Sequence, residues 1–483
     1  MKTAWTVLAV LVALAGLARS PQATRPEAAP SAALPARPVA SRMNVLLITI
    51  DTLRADHLGT YGYRRKTSPR IDALAAEGAV FEQAYTYWPK TRGSFVMMMT
   101  GLRPSLNGYR KKNPGIVGFN ATLASALNEA GYATAAVVDN LNVAAQHGYD
   151  KGFDRYRETW AEIEPFEKEM ERSRLITEDA VRYLASPPAD RPFFLWLHYV
   201  NPHAPYTPPA PFDTMFLDGD ANSGPVLRPV KGYRGGVREE WEVPGKRLGY
   251  YVAQYDGEIA AVDQEVGKVL DSLRNGGAWA NTMIVLSSDH GESLGEHDYY
   301  FDHGENVHDP CLRVPLIMRV PGAPPGVRSR ALASTLDLVP TILNATKTAL
   351  LPDLAGRSLL AQVAGQEDAN GVKLFGENEH HHTTGFDGRF KTIAILDDTS
   401  AWRFSLYDRV ADPGETRDVA RSAPDAMRVG RRDLELAFDR WEREWVRTRA
   451  KLEGAPPPPP MSEEDCLRLK QMGYVGTPGC ENY

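Results

Sequence analysis

Three apolar runs of the sequence end in side chains that bind metals or move protons. "VLLITI" runs into Asp51, "FFLWLHYV" into Asn201-Pro202-His203, and "MIVLSS" into Asp289-His290-Gly291-Glu292. Carboxylate oxygens and imidazole nitrogens are common protein ligands of divalent cations. One Asp at a strand end reads as a cap, but three such deliveries toward one edge read as a metal site. A fourth stretch, "TYWPKTRGSFVMMMTG", passes from an irregular entry into an apolar helix at Thr91, between Lys90 and Arg92. A helix start exposes unpaired N–H groups and the positive end of the helix dipole, which together favour an anion. Thr is also an ordinary N-cap residue, so this stretch alone admits capping as well.

The elements that must position these residues are legible as a pattern. Short β-rich apolar runs ("MNVLLITID", "YATAAVVD", "PFFLWLHYV", "NTMIVLSSD", "VPLIMRV") alternate with helical stretches such as "SPRIDALAAEG", "NATLASALNEAG" and "YYVAQYDGEIAAVDQEVGKVLDSLRNGG". Continuous apolar strands between helices predict an α/β fold, doubly wound, with a mostly parallel sheet covered on both faces. Ser68 with Pro69 and Gly78, and Asn120 with Gly131, supply helix start and stop signals. In such sheets ligands collect beyond the carboxyl ends of the strands, where the candidate residues lie. After about Leu354 the pattern changes to "KLFGENE", "FKTIAIL" and "WRFSLYDR", followed by a charged helix from Ala423 through Leu452. This predicts a small antiparallel sheet with a helix, packed on the main domain. "GAPPPPP" then acts as a stiff spacer before a short terminal helix, and there are no internal repeats.

The expected division is therefore a signal peptide at 1–20, a Pro/Ala-rich linker at 21–42, a catalytic domain at 43–353, and a C-terminal subdomain and tail at 354–483. Lys2 before "AWTVLAVLVALAGLA", with small residues near Ala18 to Ser20, is the layout of a secretory signal. The run is short for a membrane span, leaving an uncleaved signal anchor as the alternative. A secreted or periplasmic protein is the expectation. The chain has 483 residues, 43% hydrophobic and 24% charged, with net charge −6, so it offers no basic surface for nucleic acid. Only Cys311, Cys466 and Cys480 occur, and the fold does not depend on disulfides. Cys466 and Cys480 could close a small loop. The triplet His380 to His382 offers imidazoles but reads as a surface loop.

The order of "NVLLITIDTLRADHLGTYGY", "TSPRIDALAAEGAVFEQAYT", "TRGSFVMMMTGLRPS", "NPHAPYTPP", "SSDHGESLGEH", "LRVPLIMRVPG", "LYDRVADPGETRDVA" and "LKQMGYVG" resembles the sulfatase family of the alkaline phosphatase superfamily, from Met43 to Val475. The resemblance implies an ester hydrolase in which one divalent ion is held by Asp51, Asp289 and His290 and touches a nucleophile at Thr91. It also places His203 and His303 beside the transferred group and leaving oxygen, His303 standing where family members often carry Lys.

Departures from the family pattern reshape the expected chemistry. Formylglycine sulfatases oxidise a Cys or Ser within Cys/Ser-x-Pro-x-Arg; Thr91, Gly93 and Phe95 stand there, and Thr cannot become that aldehyde. The Lys and His that hold sulfate after "GYATA" are replaced by "VVDNLNV", leaving Lys90, Arg92 or Asn140 to bind substrate. Thr52 stands where a second carboxylate often binds Ca2+. Fewer carboxylates with a nitrogen donor lean the ion toward Mn2+ or Zn2+, with Ca2+ still open. The expected activity is hydrolysis of phosphate or phosphonate esters of a small-molecule, glycan or lipid substrate. The alternatives are a sulfuric ester hydrolase, a phosphoethanolamine-type transferase, for which the membrane spans are missing, or a silent binding protein. The pocket wall is expected from the insertion between Asp213 and Arg247, and because "YDGEIAAVDQEVG" has no His, one tightly bound metal is expected.

Overall fold

Strand β1 (Asn44–Ile50) feeds two cores at once: Val45 and Leu47 enter one hydrophobic cluster, Leu46, Ile48 and Ile50 the other. That two-sided burial at a period of two residues is why the run is apolar throughout. The computed structural model describes residues 42–453, apart from 111–114, 164–168, 368–371, 381, 398 and 400. In it β1 belongs to an eight-stranded sheet with β2 (Ala79–Tyr85), β3 (Ala133–Val138), β4 (Arg155–Glu158), β5 (Phe193–Tyr199), β6 (Thr282–Ser287), β7 (Leu316–Arg319) and β8 (Val327–Ser334). The order is β8-β2-β7-β6-β1-β5-β3-β4. Every pairing is parallel except those of β7, which runs against both β2 and β6. The mostly parallel sheet expected from the sequence is therefore present.

Helices cover both faces. α1 (Pro69–Ala76), α4 (Glu169–Ala185) and α5 (Leu248–Asn275) pack into the cluster of Leu46 and Ile48, while α2 (Thr91–Thr100), α3 (Leu123–Glu129) and α6 (Leu338–Ala345) pack into that of Val45 and Leu47. Ser68 and Pro69 do open α1. The start of α3 is Thr122 rather than Asn120: Thr122 Oγ1 accepts from the Ser125 N–H at 3.0 Å in a capping box. Asn120 instead donates its amide to the Asn107 carbonyl at 2.7 Å.

The C-terminal part forms a four-stranded antiparallel sheet, β9 (Leu374–Glu377), β10 (His382–Phe386), β11 (Phe390–Leu396) and β12 (Trp402–Asp408), covered by α7 (Pro424–Leu452). Helix α7 docks on the main body through Glu444, which accepts from Ser105 Oγ at 2.6 Å and Arg103 Nε at 2.9 Å. Cys311 is a buried free thiol. The expected signal, residues 21–41 of the expected linker, Cys466, Cys480, His381 and the expected terminal helix lie outside the described residues. Among the described residues, no helix is long and apolar enough to cross a membrane.

Candidate active site

The carboxyl ends of β1, β5 and β6 lie side by side, because β1 pairs in parallel register with both neighbours. Asp51 follows β1 and extends its ladder, donating its N–H to the Tyr199 carbonyl at 2.8 Å. Asp289 and His290 follow β6. One ligand atom from each of Asp51, Asp289 and His290 lies within 4.8 Å of the others, and all three residues are fully buried. His290 Nε2 is 3.3 Å from Asp289 Oδ2 and 3.7 Å from Asp51 Oδ1. Its Nδ1–H donates to the Gly291 carbonyl at 2.9 Å, which turns the Nε2 lone pair toward the carboxylates. Burial raises the Asp289 carboxyl to about 7 and lowers the His290 imidazole to about 3.

These residues fit a divalent cation. Asp289 Oδ2 is buried with no hydrogen-bond donor, beside an imidazole lone pair and a second carboxylate. A cation answers the burial of those groups in a way that further acceptors cannot.

Thr91 is the first residue of α2, not its cap. Lys90 occupies the N-cap position, and no side-chain capping bond forms. Thr91 Oγ1 lies 3.1 Å from His290 Nε2, so with Nδ1–H donating elsewhere the Thr hydroxyl donates to that lone pair. All ten residues of α2 are buried. Ser94 ties the helix to the β6 loop by donating to the Asp289 carbonyl at 2.6 Å.

His203, His290 and His303 form one aromatic group, with ring centroids 4.1 Å apart for His290 and His303 and 5.2 Å for His203 and His303. His203 Nδ1–H donates to the Ala204 carbonyl at 2.6 Å, and burial lowers its imidazole to about 3. His303 Nδ1 pairs with Glu292 Oε1 at 2.9 Å. Lys90, His203 and His303 line one cleft of about 200 Å³ together with Tyr233, Trp241 and His380. Tyr233 and Trp241 come from the 213–247 segment. Arg92 does not reach that cleft; it is buried and donates to Asn142 Oδ1 at 3.0 Å. Asn140 donates to Asp51 Oδ2 at 2.7 Å and accepts from the Asn142 N–H at 2.9 Å, which fixes the Asp51 carboxylate.

One contributor, His198, is absent from the sequence reading, and two others, Glu292 and Thr52, gain partners that it did not foresee. His198 is fully buried, with Nε2 3.7 Å from Asp51 Oδ2 and Nδ1 3.1 Å from Thr49 Oγ1. Its sequence signal was a lone imidazole in a continuously apolar strand. Glu292 supports His303, and its other oxygen accepts from Tyr206 OH at 3.3 Å. Thr52 is buried with φ of +53°, its carbonyl accepting from Tyr255 OH at 2.8 Å.

A mostly parallel sheet gathers two carboxylates, an imidazole and a helix-start hydroxyl at its carboxyl edge, an arrangement that suits metal-assisted ester hydrolysis. The chain belongs to the sulfatase family, whose profile matches residues 43–348; that of the N-sulphoglucosamine sulphohydrolase C-terminal region matches 295–432. The chain is 24% identical over 451 residues to an arylsulfatase of Clostridium perfringens, covering 78% of this chain and 90% of that one. It is also 24% identical over 475 residues to an N-acetylglucosamine-6-O-sulfatase of Bacteroides thetaiotaomicron, covering 80% and 84%. Among solved structures, the phosphonate monoester hydrolase of Agrobacterium radiobacter superimposes with a TM-score of 0.69 at 21% identity, covering 82% of this chain and 95% of that one. The neighbours thus include both sulfatases and phosphonate monoester hydrolases.

Proposed function

We propose that this sulfatase-family hydrolase cleaves phosphate or phosphonate esters with Thr91 as nucleophile, and that it works outside the cytoplasm. The observation that carries the reading is the buried Thr91 hydroxyl, 3.1 Å from His290 Nε2 at the start of α2. Asp51, Asp289 and His290 would hold a divalent ion, Mn2+ or Zn2+ by the nitrogen donor and by Thr52 in place of a further acid. When bound, that ion supplies Lewis-acid charge that stabilises an alkoxide at neutral pH and polarises a phosphoryl oxygen.

The chain's own groups do the rest. Thr91 gives its hydroxyl proton to solvent as Oγ forms the bond to phosphorus and the bond to the ester oxygen breaks; the departing oxygen takes a proton from His203, with His303 beside it, and His203 regains one from solvent. Water then attacks the phosphothreonine, the phosphorus–Oγ bond breaks, and the Thr91 hydroxyl is restored as phosphate leaves. Burial keeps the imidazoles neutral before substrate enters. An anionic ester raises their proton affinity, so the acid is charged by the substrate itself. The α2 N-terminus adds backbone N–H groups for the anion. Tyr233, Trp241 and Lys90 in the cleft suit an aromatic or glycan leaving group with polar substituents. Lys2 and the following apolar run support export.

Sulfuric ester hydrolysis is the second reading, favoured by the activities named for the curated relatives. A panel of aryl phosphate monoesters, diesters, phosphonates and sulfates on metal-reconstituted protein separates the two. Turnover of phosphorus esters, with a phosphorylated Thr91 peptide after acid quench, supports the proposal. Turnover of sulfates alone overturns it, and inertness toward every ester on every metal form leaves a binding protein.

A further inference from the structure

His297, His308 and Glu415 come together away from the reaction centre. One ring nitrogen of each imidazole and one carboxylate oxygen lie within 4.8 Å of one another. The imidazole planes stack at 3.7 Å between centroids, and His308 Nδ1 is 3.2 Å from Glu415 Oε2. His297 Nε2 is buried with no hydrogen-bond partner. Glu415 is 1% exposed, whereas His297 and His308 are half-buried, so the group has an inner anchor and an outer opening. Two of the three sit in left-handed backbone, with φ of +56° at His297 and +53° at Glu415. Non-glycine residues hold that conformation at a cost of roughly 1–3 kcal/mol each unless their surroundings impose it.

We propose that His297, His308 and Glu415 form a second metal site, separate from the reaction centre, that takes a borderline-soft divalent cation such as Zn2+. Two imidazoles with one carboxylate are a known zinc donor set, leaving a fourth position for water on the open side. Tetrahedral coordination brings donor atoms to about 3.3 Å of each other, so the cluster contracts by no more than about 1.5 Å on binding. Lys391 stays on the other carboxylate oxygen, its Nζ 2.9 Å from Glu415 Oε1 and 3.0 Å from Asp309 Oδ1, and keeps Glu415 ionised. The ion would staple two parts of the chain. His297 and His308 bracket the segment that carries His303 to the reaction centre, and Glu415 follows β12 of the C-terminal sheet. Bound there, it holds the His303 segment against the subdomain.

The two sites differ in donor hardness, and this makes them separable. Manganese favours the oxygen-rich Asp51–Asp289–His290 set, whereas zinc also suits two imidazoles. Metal content is measured on the full-length protein after equilibration with Zn2+ or Mn2+ and gel filtration. The expected result is two zinc equivalents but one manganese equivalent in the native protein. Asp289→Asn should retain one zinc and no manganese; His308→Gln should retain one of either. Zinc should raise the melting temperature of Asp289→Asn but not of Asp289→Asn combined with His308→Gln. In Co2+-loaded Asp289→Asn protein, visible d–d absorption should be lost in the His308→Gln combination. His297→Gln, which keeps the Glu415 network, should weaken zinc binding by tenfold or more in chelator competition. Zinc content unchanged by both His308→Gln and His297→Gln, or no zinc in a folded Asp289→Asn protein, overturns the second site. Because the readouts in Asp289→Asn bypass the reaction centre, failure of the phosphoryl-transfer reading leaves this result standing.

Discussion

Replacing Thr91 by Val removes one oxygen and keeps the shape of the side chain. Thr91 is the first residue of α2 and makes no capping bond, so the usual cap loss does not apply. What disappears in the metal-free protein is the 3.1 Å hydrogen bond to His290 Nε2, worth about 1 kcal/mol net, or up to about 3 kcal/mol if the buried acceptor finds no new donor. In a folded body of this size each kcal/mol moves the melting temperature by only about 1–2 °C. The expected stability change is thus a few degrees. Turnover should instead fall by at least about 10³-fold, as expected when the attacking atom of a covalent mechanism is removed. Thr91→Ser keeps the oxygen but gains rotamer freedom, and should retain partial turnover. The assay pairs kcat on a nitrophenyl ester with thermal melting of the same preparations. Val turning over within about threefold of native refutes the nucleophile assignment; a melting temperature lowered by more than about 10 °C with proportionate activity loss shows a structural role.

Other outcomes follow from neighbouring features. His203→Ala should slow alkyl esters at least about tenfold more than nitrophenyl esters, because only the former need a proton on the departing oxygen; equal losses indicate a binding role. Glu258 accepts from Asn201 Nδ2 at 2.6 Å and from the Thr207 N–H at 2.8 Å, beside the segment that carries His203, and burial raises it from 4.5 to about 7. The folded protein then binds more protons than the unfolded chain between those values, so stability falls by up to about 3 kcal/mol as pH rises through this window and levels off above it. In urea titrations Glu258→Gln should lack that part of the slope; an identical pH profile contradicts the assignment. Gly152 has φ of +91°, and a Cβ there would lie 2.1 Å from Ser125 N and 2.4 Å from Ser125 Cα. Gly152→Ala should cost more than about 3 kcal/mol, read as a lowered urea midpoint.

The candidate site was legible where chain and chemistry coincide. Strands buried on both faces are continuously apolar, so the polar residues that end them stand out, and Asp51, Asp289 and His290 are of that kind. What the sequence hides is the consequence of register and packing. Asn140 reaches Asp51 because β3 lies beside β5, across 89 residues of chain. His198 reaches it because its strand pairs Thr49 with His198. The reversed direction of β7 has no mark in its run of apolar residues. Strands β4 and β8 lie at the sheet edges, where Arg155, Arg157, Arg328 and Arg330 can reach solvent, and so no unbroken apolar run announces them. Thr91 looks like a cap in sequence because cap and first-turn positions differ only by one residue's backbone angles. His308 and Glu415 are 107 residues apart, and no spacing rule connects them.

The burial of α2 on every side has a bearing on how this scaffold could diversify. A helix enclosed all round cannot shift without dislodging its neighbours, so the hydroxyl it carries is anchored to the sheet rather than to the cleft rim. Tyr233 and Trp241, by contrast, ride on a segment that joins the body between β5 and α5 and contributes no strand to the main sheet. Exchanging that segment between paralogues, by recombination or by design, would alter which esters are admitted while leaving bond-breaking geometry untouched. On the proposed reading, selectivity and reactivity would then be carried by separable parts of the chain.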